Sequence, residues 1–597
     1  MDASSPRTET SSMDPSSKLF CCRSVRRRIP LVYRQELYHI LRMTGPLVAS
    51  RILNYLLPFV ITMFCGRLGN SVLAGYGMAS ATINITTAAT GGGLALAADT
   101  LISQTFGGRN LHRVGIILQR SVLILLLFCL PCWGLLINTQ PILLLLGQDP
   151  EVARIAQLYV VCYLPAVPAM FLHQLQVAYL QNQGVILPQM YAAIAANIAN
   201  VVTNYVLLNW LDLGLYGSAA ANTISQLYIC LFLYLYIRRK KLHVETWGGW
   251  SCDSLQEWDG YMKLAIPSTM MFCFEWWIYE VGGFLAGILG ELDLAAQHAV
   301  IMLAFINYMF PLGIQGAACV RVGNALGAGD TAGAIRTSKV SLTCTAALAV
   351  LQGLVLVSTK TVIGFLFTSD GHIVALVSKL LNVYCVLQFF DGLVCVGMGI
   401  LLGTGQQKIA AIANLFGYYC IGLPSSIVLM FTAKLQVAGF WLGLLIAVFL
   451  LAIFFTVVIF KLNWKKMTQE AVERTGKSAN GAANGTMTPS HRNSFYQVVL
   501  NAENENGYVV VSSHDQDEGL NHTAVQEGPN ATHVEEKPAA LLSTAQLILR
   551  RGLTTLCALL ILALGIAVHL TVPLPEVSYG SGRNFTLDSN FTTATPF

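Results

Sequence analysis

The sequence predicts an all-α polytopic membrane protein: two six-helix halves related by an internal repeat, followed by a thirteenth transmembrane helix near the C-terminus. Composition indicates the class. Of the 597 residues, 54% are hydrophobic and only 11% are charged, and the mean hydropathy is +0.58. Soluble globular domains carry about 25% charged residues, so this chain belongs in a membrane. The apolar runs and the internal repeat then predict the arrangement of its helices.

Apolar runs long enough to cross a bilayer as helices, about 20 residues each, occur about twelve times before residue 463 and once more near the C-terminus. No short apolar core with a small-residue cleavage site precedes the first run, so we expect that run to anchor the protein. The predicted spans are 44–64, 74–100, 113–138, 152–178, 186–208, 214–237, 262–288, 294–320, 334–358, 373–402, 408–430, 436–460 and 550–572. Pro165 and Pro168 in the fourth span and Pro188 in the fifth are expected to break or bend helices.

An internal repeat relates the first six spans to the next six. Pro46 and Pro267 open the first and seventh spans at an offset of 221 residues, and the turn 68–74 returns as 289–295 at the same offset. Gly107 and Gly327 follow the second and eighth spans at an offset of 220. A near-constant offset across six spans predicts two parallel halves related by an axis along the membrane normal, with a substrate site between or within them.

The domain boundaries follow from these spans and from a change in composition near residue 467. Asn, Gly, Ser and acidic residues then dominate without an apolar period, which predicts a disordered linker. A linker of this length imposes little geometry on the core, so truncation near residue 466 is expected to leave transport largely intact. The predicted parts are a cytosolic segment 1–40, a first lobe 41–245, a second lobe 258–463, a cytosolic linker 464–545, a thirteenth helix 546–573 and an extracellular tail 574–597.

Basic clusters predict the orientation in the membrane. They fall on one side of the bilayer if the spans alternate, and this side should be the cytosol. The N-terminus is then cytosolic and the final tail extracellular, where Asn584 and Asn590 are plausible glycosylation acceptors. The clusters are Arg26–Arg28, Arg109 with Arg113, Arg238–Lys241, Lys465 with Lys466, and Arg550 with Arg551.

Several function classes have no support in the sequence. The net charge of +5 comes from basic residues beside apolar runs, so it reports topology and predicts no nucleic-acid partner. The 15 Cys lie mostly inside the runs, without the spacing of a zinc site, so neither a metal nor a cofactor is expected. Cys21 and Cys22, beside arginines, are weak candidates for palmitoylation. No phosphate loop or nucleophile elbow is present, which disfavours an enzyme or an ATP-driven pump.

The segment Glu275-Trp276-Trp277-Ile278-Tyr279-Glu280 places two carboxylates and three aromatic rings inside the seventh span. An ionised carboxylate costs about 3 kcal/mol at the centre of a membrane helix, so it is expected to face a wet cavity, a cation or a proton. Aromatic faces beside it suit an organic cation. The alternative is a pair of acids that serves helix packing.

The repeat strengthens the functional interpretation of these acids. An offset of 221 maps Glu275 and Glu280 onto Asn54 and Phe59, so the first lobe lacks both carboxylates. A packing requirement shared by the two halves would tend to appear in both. Asp391 in the tenth span maps onto Met170, and we expect it to join the same site, the alternative being a local hydrogen-bonding role.

Other polar residues in the spans are weaker candidates. Asp99 lies near the cytosolic end of the second span and is expected either to pair with a loop arginine or to take part in gating. His298 could titrate near neutral pH, although packing is the commoner role of such a histidine. Asn84 is a further polar group within the second span. Arg51 in the first span is expected to pack or to counter one of the acids.

Four motifs carry a resemblance to a known family: Cys65–Gly69, Asp99–Gly107, Glu275–Glu280 and Arg321–Gly329. Together with twelve spans in two halves they resemble the multidrug and toxin extrusion (MATE) family, and the thirteenth span resembles its vertebrate branch. The resemblance implies an antiporter of the plasma membrane, functional as a monomer, that exports small organic cations in exchange for protons. It also implies that acids of the second lobe do this work.

The resemblance assigns roles to particular residues and also shows two departures. Glu275, Glu280 and Asp391 match positions that carry essential acids in the family, although vertebrate relatives have the longer Glu at the third position. A further acid of those relatives is Met302 here, so this chain lacks one carboxylate of a four-carboxylate scheme. Trp276, Trp277 and Tyr279 are expected to line the pocket or to pack behind it.

The mechanism that we expect is competition between a proton and a cation for buried carboxylates. Burial favours the neutral form of a carboxylic acid, so protonation from the more acidic side would release a bound cation, and rocking of the halves would alternate access. Five positions separate Glu275 from Glu280, which sets them about 140° apart around a helix. They therefore cannot share one narrow face, and one is expected to bind the cation while the other passes the proton.

Three alternatives remain at this point. A lipid flippase of the same superfamily would use similar halves but should have a more basic central cavity. A passive channel should have polar pore-lining residues in both halves. A receptor normally has about seven spans and no internal repeat, so it is the least favoured.

Overall fold

The computed structural model describes residues 30–68, 70–366, 370–476 and 543–571, and within these ranges the secondary structure is helical without any strand. Twelve of the described helices are long and apolar enough to cross a membrane, and a bent pair of shorter helices makes a thirteenth. The all-α class predicted from the sequence is therefore confirmed, and the described spans number thirteen, as predicted, when the bent pair is counted as one span. Arg26–Arg28, Cys21, Cys22, Asn584 and Asn590 lie outside the described residues.

The first lobe runs from residue 31 to residue 239. A π-helical turn, Asn84–Ala88, joins its second and third helices. The helices are α1 (Leu31–Leu68), α2 (Asn70–Ile83), α3 (Ala89–Gly107), α4 (Leu111–Leu136), α5 (Thr139–Leu145), α6 (Pro150–Tyr163), α7 (Ala166–Asn182), α8 (Leu187–Tyr205) and α9 (Gly214–Arg239). Helix α1 begins at Leu31, within the predicted N-terminal segment 1–40.

The second lobe repeats this pattern and is followed by two further helices. The helices are α10 (Trp258–Leu289), α11 (Glu291–Gly327), α12 (Thr331–Thr359), α13 (Gly371–Thr404), α14 (Gln407–Asn414), α15 (Leu423–Ile427), α16 (Val437–Lys461), α17 (Trp464–Arg474) and α18 (Thr544–Thr571). Two clusters of buried apolar side chains lie mainly in one lobe each, and each cluster also includes a few side chains of the other lobe. Large apolar side chains are exposed around the perimeter, for example Phe284 at 67% and Leu354 at 64%, as a lipid-facing surface requires.

Proline bends one span of the first lobe. Helices α6 and α7 meet at 59°, so the predicted break in the fourth span is confirmed. Pro165 caps α7 and Pro168 lies in its first turn, where a missing N–H leaves no intrahelical bond unmade. Pro188 instead lies in the first turn of α8 and does not bend the fifth span, so that prediction is wrong.

Glycines of the internal repeat mark the place where the two lobes cross. A Cβ atom at Gly107 would lie 2.1 Å from the carbonyl oxygen of Asn324, and one at Gly327 would lie 1.8 Å from the carbonyl oxygen of Gln104. The C-terminal ends of α3 and α11 are therefore in backbone contact. This end of the bundle also carries Arg109, and it is called the basic end below.

Helix α17 corrects the predicted start of the linker, because residues 464–474 are helical. The Asn463 side chain caps the helix by accepting a hydrogen bond from the N–H of Lys466 at 3.2 Å. Buried Trp464, Met467 and Ala471 follow a spacing of three and four residues, which gives the helix one apolar face. The polar composition of the following residues obscured this short amphipathic pattern.

Helix α17 crosses both lobes at the basic end. Toward the first lobe, the Arg474 guanidinium donates to the Gln104 side chain at 3.2 Å, and the Asn110 amide donates to the carbonyl of Thr475 at 2.9 Å. Toward the second lobe, the hydroxyls of Thr331 and Thr468 share a hydrogen bond of 2.7 Å. The helix therefore bridges the two halves of the repeat.

Helix α18 packs against α4 on the outside of the first lobe. Gly134 and Gly565 allow a close approach of the two helices, and the Asn138 amide donates to the carbonyl of Gly565 at 2.8 Å. The Arg551 guanidinium lies 4.4 Å from the centre of the Trp258 ring. Most of the remaining surface of α18 is exposed. It is a peripheral helix outside both halves of the repeat.

Candidate functional site

Two of the predicted acids meet in the interior of the second lobe. Glu275 of α10 is 6% exposed and Asp391 of α13 is 5% exposed, and the two carboxyl groups lie within electrostatic range of each other. The hydroxyl of Tyr308, on α11, donates a hydrogen bond to Glu275. Asp391 accepts no hydrogen bond from any described residue. Three helices thus bring together these residues, of which Glu275 and Asp391 are 116 positions apart in sequence.

Tyrosines rather than cations surround this pair. Tyr279, Tyr308 and Tyr418 lie within electrostatic range of both acids. Across the part of the chain that the structure describes, no lysine or arginine forms an ion pair with either carboxyl group. A buried acid without a cationic partner is stable mainly in its neutral form or with a ligand cation. The arrangement can therefore hold a proton and give it up when a cation arrives.

Glu280 lies in a separate and more open place. It is exposed and lines a cavity of about 160 Å³ between α10 and α11. Behind the cavity, the Trp441 indole N–H donates to the side chain of Gln297 at 2.7 Å. The cavity residues are Tyr279, Glu280, Gly283, Leu294, Gln297, His298, Ile301, Met302 and Phe305. The two glutamates of the motif thus face different surroundings, in keeping with their angular separation on the helix.

An aromatic cluster lies between the buried acids and this cavity. The Trp276 ring stacks on Phe272 with centroids 5.5 Å apart, and it lies 5.6 Å from Phe305 and 6.2 Å from Tyr308. Tyr279 also contacts Phe305, at 6.4 Å. Tyr308 of this cluster donates to Glu275, whereas Tyr279 and Phe305 line the cavity with Glu280. Of the predicted pocket aromatics, Tyr279 lines the cavity, and Trp276 packs behind it against Phe305.

Trp277 points elsewhere. It contributes no ring contact to the cluster, and its indole N–H is buried without a hydrogen-bond partner among the described residues. Neighbouring positions on a helix are about 100° apart, so Trp276 and Trp277 cannot both face the acids. Trp277 corresponds to the packing alternative of the prediction.

Tyr55 is the contribution of the first lobe to the same region. Its hydroxyl donates to the sulfur of Met302 at 3.0 Å, and its ring lies 6.1 Å from Phe305. Both partners belong to the second lobe and line the cavity with Glu280. Sequence reasoning missed Tyr55, Phe305 and Tyr308 because each lies in an apolar run without a neighbouring acid, where packing is the usual role of an aromatic residue.

Asp99 belongs to a different cluster. It accepts a hydrogen bond of 2.5 Å from the side-chain amide of Asn182 and lies within electrostatic range of Arg51. The predicted pairing with a loop arginine is therefore wrong: the cation is Arg51 of α1, inside the span. Asn84, at the start of the π-helical turn, is exposed and makes none of the contacts around Glu275 or Glu280.

Metal-ligand geometry gives no competing site in the described ranges, since no group of three or more His, Cys, Asp or Glu side chains there could hold a metal ion.

Comparison with known proteins identifies the family of this chain. The MatE family model matches residues 46–206 and again residues 267–428. The two matches begin 221 positions apart, at the same offset as the internal repeat. The chain belongs to the multidrug and toxin extrusion (MatE) family.

Relatives of known name agree with this membership. The chain is 46% identical to multidrug and toxin extrusion protein 1 of Danio rerio over 558 residues, which is 93% of this chain and 94% of the relative. It is 46% identical to the Homo sapiens protein of the same name, covering 90% of this chain and 94% of the relative. The crystal structure of the eukaryotic MATE transporter AtDTX14 superposes with a TM-score of 0.71 at 27% identity, over 74% of this chain and 99% of that one.

MATE membership confirms the resemblance that the four motifs carried. Two of those motifs now have a structural role at the basic end, since Gly107 of the segment Asp99–Gly107 and Gly327 of the segment Arg321–Gly329 lie at the crossing of α3 and α11. The Arg321 guanidinium binds both carboxylate oxygens of Glu36, at 2.5 and 2.6 Å. The motif Glu275–Glu280 supplies the acids and the aromatic rings of the candidate site.

Proposed function

We propose that this protein is a secondary active antiporter that exports organic cations in exchange for protons. The observation that carries the proposal is the buried pair Glu275 and Asp391, which has no cationic partner among the described residues and lies beside an open cavity with one carboxylate and aromatic walls. The names of the relatives, multidrug and toxin extrusion proteins, support export of diverse compounds.

The buried pair is the proposed proton site. Two neighbouring carboxyl groups disfavour the state in which both are ionised, so the pair tends to keep at least one proton until a positive charge approaches. Tyr308 holds Glu275 through its hydroxyl group, whereas Asp391 is left to exchange its proton. Each cycle then couples the arrival of a cation to the loss of a proton.

The Glu280 cavity is the proposed entry site of the cation. Glu280 supplies a negative charge, and Tyr279 and Phe305 supply aromatic faces that attract organic cations. The volume of about 160 Å³ is smaller than the 300–1,000 Å³ typical of drug-sized pockets. The cavity would therefore hold only the cationic end of a substrate, with the remainder in the space between the lobes.

The closed basic end gives the direction of access. Positive loops face the cytosol in most multi-pass proteins, so the conformation described here is closed toward the cytosol and more open toward the outside. We place the N-terminus in the cytosol, the C-terminal tail outside and the protein in the plasma membrane. Both lobes and all proposed site residues come from one chain, which supports function as a monomer.

Uptake into proteoliposomes with an imposed pH gradient tests the proposal. A radiolabelled quaternary ammonium ion should accumulate against its gradient only when the compartment it leaves is less acidic than the one it enters. Flux that does not depend on the pH gradient would indicate a channel, and flux driven by a sodium gradient would contradict proton coupling.

The absence of Lys and Arg from the residues lining the Glu280 cavity disfavours a flippase for anionic lipids.

Replacing the buried acids tests their assignment. Glu275→Gln should abolish exchange at normal surface abundance, because the amide cannot take up a proton. Asp391→Asn should do the same, whereas Asp391→Glu should retain transport with altered substrate preference. Glu151→Gln, at the exposed N-terminus of α6, is the matched control and should transport normally. Active Asp391→Asn with inactive Asp391→Glu would make Asp391 a packing residue.

A further inference from the structure

A second cavity lies on the lipid-facing side of the second lobe, away from the candidate site. It has a volume of about 160 Å³ and opens between α12, α16 and the start of α17. Its walls include Ser338, Lys339, Leu342, Ile459, Phe460 and Trp464. None of these residues takes part in the proposed exchange of protons and cations.

The wall of this cavity is apolar and continues into the membrane. Leu342 and Ile459 are buried at its base, and Phe460 is 58% exposed at its edge. Along α12, Val350 remains exposed at 54%, and along α16, Val457 is exposed at 45%. From Leu342 to Val350 is about 12 Å along a helix, close to the depth of hydrocarbon in one leaflet.

The rim of the cavity at the basic end is positively charged. Lys339 is exposed and Arg336 lies one turn before it on α12, while Lys461 and Lys465 lie on either side of Trp464. Where the structure describes the chain, none of these four cations forms an ion pair. The neighbouring acids are already engaged: Glu36 with Arg321, and Glu470 with Lys466 and Arg474.

Trp464 fixes the junction between the apolar wall and the charged rim. Its indole N–H donates to the carbonyl of Ile459 at 3.2 Å, so the ring is held in the wall of the cavity. Tryptophan is enriched at the level of lipid headgroups, where one end of the ring is apolar and the other polar. The ring therefore places the rim of the cavity at the membrane interface.

We propose that this cavity binds one anionic glycerophospholipid of the leaflet at the basic end. The phosphate lies near Lys339, and one acyl chain follows Leu342 and Ile459 along the groove between α12 and α16. Each lysine near the membrane surface attracts an anionic headgroup by about 1 kcal/mol. A zwitterionic headgroup has no net charge and gains less from these lysines. A soluble phosphate would use the charge but leave the apolar wall empty.

The bound lipid would also support the contact between the lobes. Trp464 begins α17, whose other end reaches the first lobe through Arg474 and Gln104. A lipid packed against Trp464 would hold the first turn of α17 in place. The proposal of a lipid site depends on this surface alone and does not depend on the proposed antiport.

Native mass spectrometry of the purified full chain in defined lipid tests the proposal. With equal phosphatidylglycerol and phosphatidylcholine, the wild type should retain one phosphatidylglycerol in preference. Lys339→Gln should lower that preference about fivefold. Lys408→Gln, an exposed lysine at the same end but outside the cavity, should leave it unchanged.

A second variant separates the cavity from charge alone. Leu342→Trp should fill the groove and abolish retention of the lipid while the thermal unfolding midpoint stays near that of the wild type. Inorganic phosphate should not displace the bound lipid. Equal retention of the two lipids by the wild type, an equal loss in Lys408→Gln, or displacement by inorganic phosphate would each overturn the proposal.

Discussion

The two ends of the interface between the lobes are built differently. At the basic end, α3 and α11 touch through their backbones at Gly107 and Gly327, and further polar bonds join the lobes. The Gln104 amide, for example, donates to the carbonyl of Gly403 at 2.9 Å. Toward the opposite end, Tyr55 reaches the second lobe only through side chains. In this conformation the basic end is therefore the firmly closed one, and the end near Tyr55 has contacts that can separate more easily.

The difference also explains the distribution of residue types. Backbone contact requires glycine on both helices, because any Cβ would enter the facing carbonyl group. The Tyr55 end uses an aromatic ring and a flexible thioether, which can separate and meet again without strain. The repeat therefore supplies the glycines in both halves, whereas the side chains near the candidate site differ between the halves.

Enlarging a crossing glycine should have the largest effect. Gly327→Leu would place a side chain in the backbone of Gln104, which cannot move aside, and overpacking of this kind costs about 3 kcal/mol. The basic end should then fail to close, with roughly a hundredfold shift in the conformational equilibrium. Gradient-driven cation flux per surface protein should fall to background.

Gly287→Leu is the matched control for this change. A Cβ atom at Gly287 meets no other atom within 4 Å, so transport should persist. Normal flux in Gly327→Leu, or equal loss in both variants, would show that the backbone crossing does not set the closed state.

Removing α17 should have the next largest effect, and its contacts revise the expectation from composition that truncation near residue 466 leaves transport largely intact. A chain that ends after residue 476 keeps the helix and should transport at nearly the wild-type rate. A chain that ends after residue 463 loses the bonds of Arg474, Thr475 and Thr468, each worth about 1 kcal/mol. The loss of even one such bond from the closed state changes the conformational equilibrium about fivefold, so we expect flux to fall at least fivefold in the shorter chain, measured at equal surface abundance. Equal transport by the two truncations would mean that α17 does not hold the lobes.

The ion pair between Glu36 and Arg321 should contribute a smaller effect. The pair is bidentate, with side chains 11% and 25% exposed, and Thr337 also donates to Glu36 at 2.7 Å. Glu36→Gln should lower stability by about 2 kcal/mol, because Arg321 keeps a partly buried charge. A double-mutant cycle with Arg321→Gln, followed by thermal unfolding, measures the coupling. Strictly additive losses would show that the two residues act independently.

Tyr55→Phe should have the smallest effect. It removes the hydroxyl that donates to Met302 and keeps the ring against Phe305. A hydrogen bond to a thioether is weak, so we expect the apparent affinity for a cation to change about twofold. Tyr55→Ala, which removes the ring as well, should reduce affinity further. An unchanged affinity in Tyr55→Ala would show that Tyr55 of the first lobe does not contribute to cation binding.

Much of this architecture followed from the sequence alone. The apolar runs determined the spans, because a helix must cover about 30 Å of hydrocarbon whatever its neighbours are. The repeat determined the two lobes and pointed to Gly107 and Gly327, although not to their contact. The rarity of charged residues in membrane helices pointed to Glu275, Glu280 and Asp391. The angle between Glu275 and Glu280 around their helix predicted different surroundings for these two glutamates.

Only the tertiary structure decided which of these groups meet. Asp391 lies beside Glu275, Tyr55 reaches Met302, and Asp99 lies near Arg51 rather than a loop arginine. Such contacts join residues far apart in sequence, and no local period or composition encodes them. Helix α17 is a related case. Its apolar face has only three side chains, too few to predict a packed helix unless the surface formed by the two lobes is known. Local composition determined which segments are membrane-spanning helices, and packing determined which of those helices share a site.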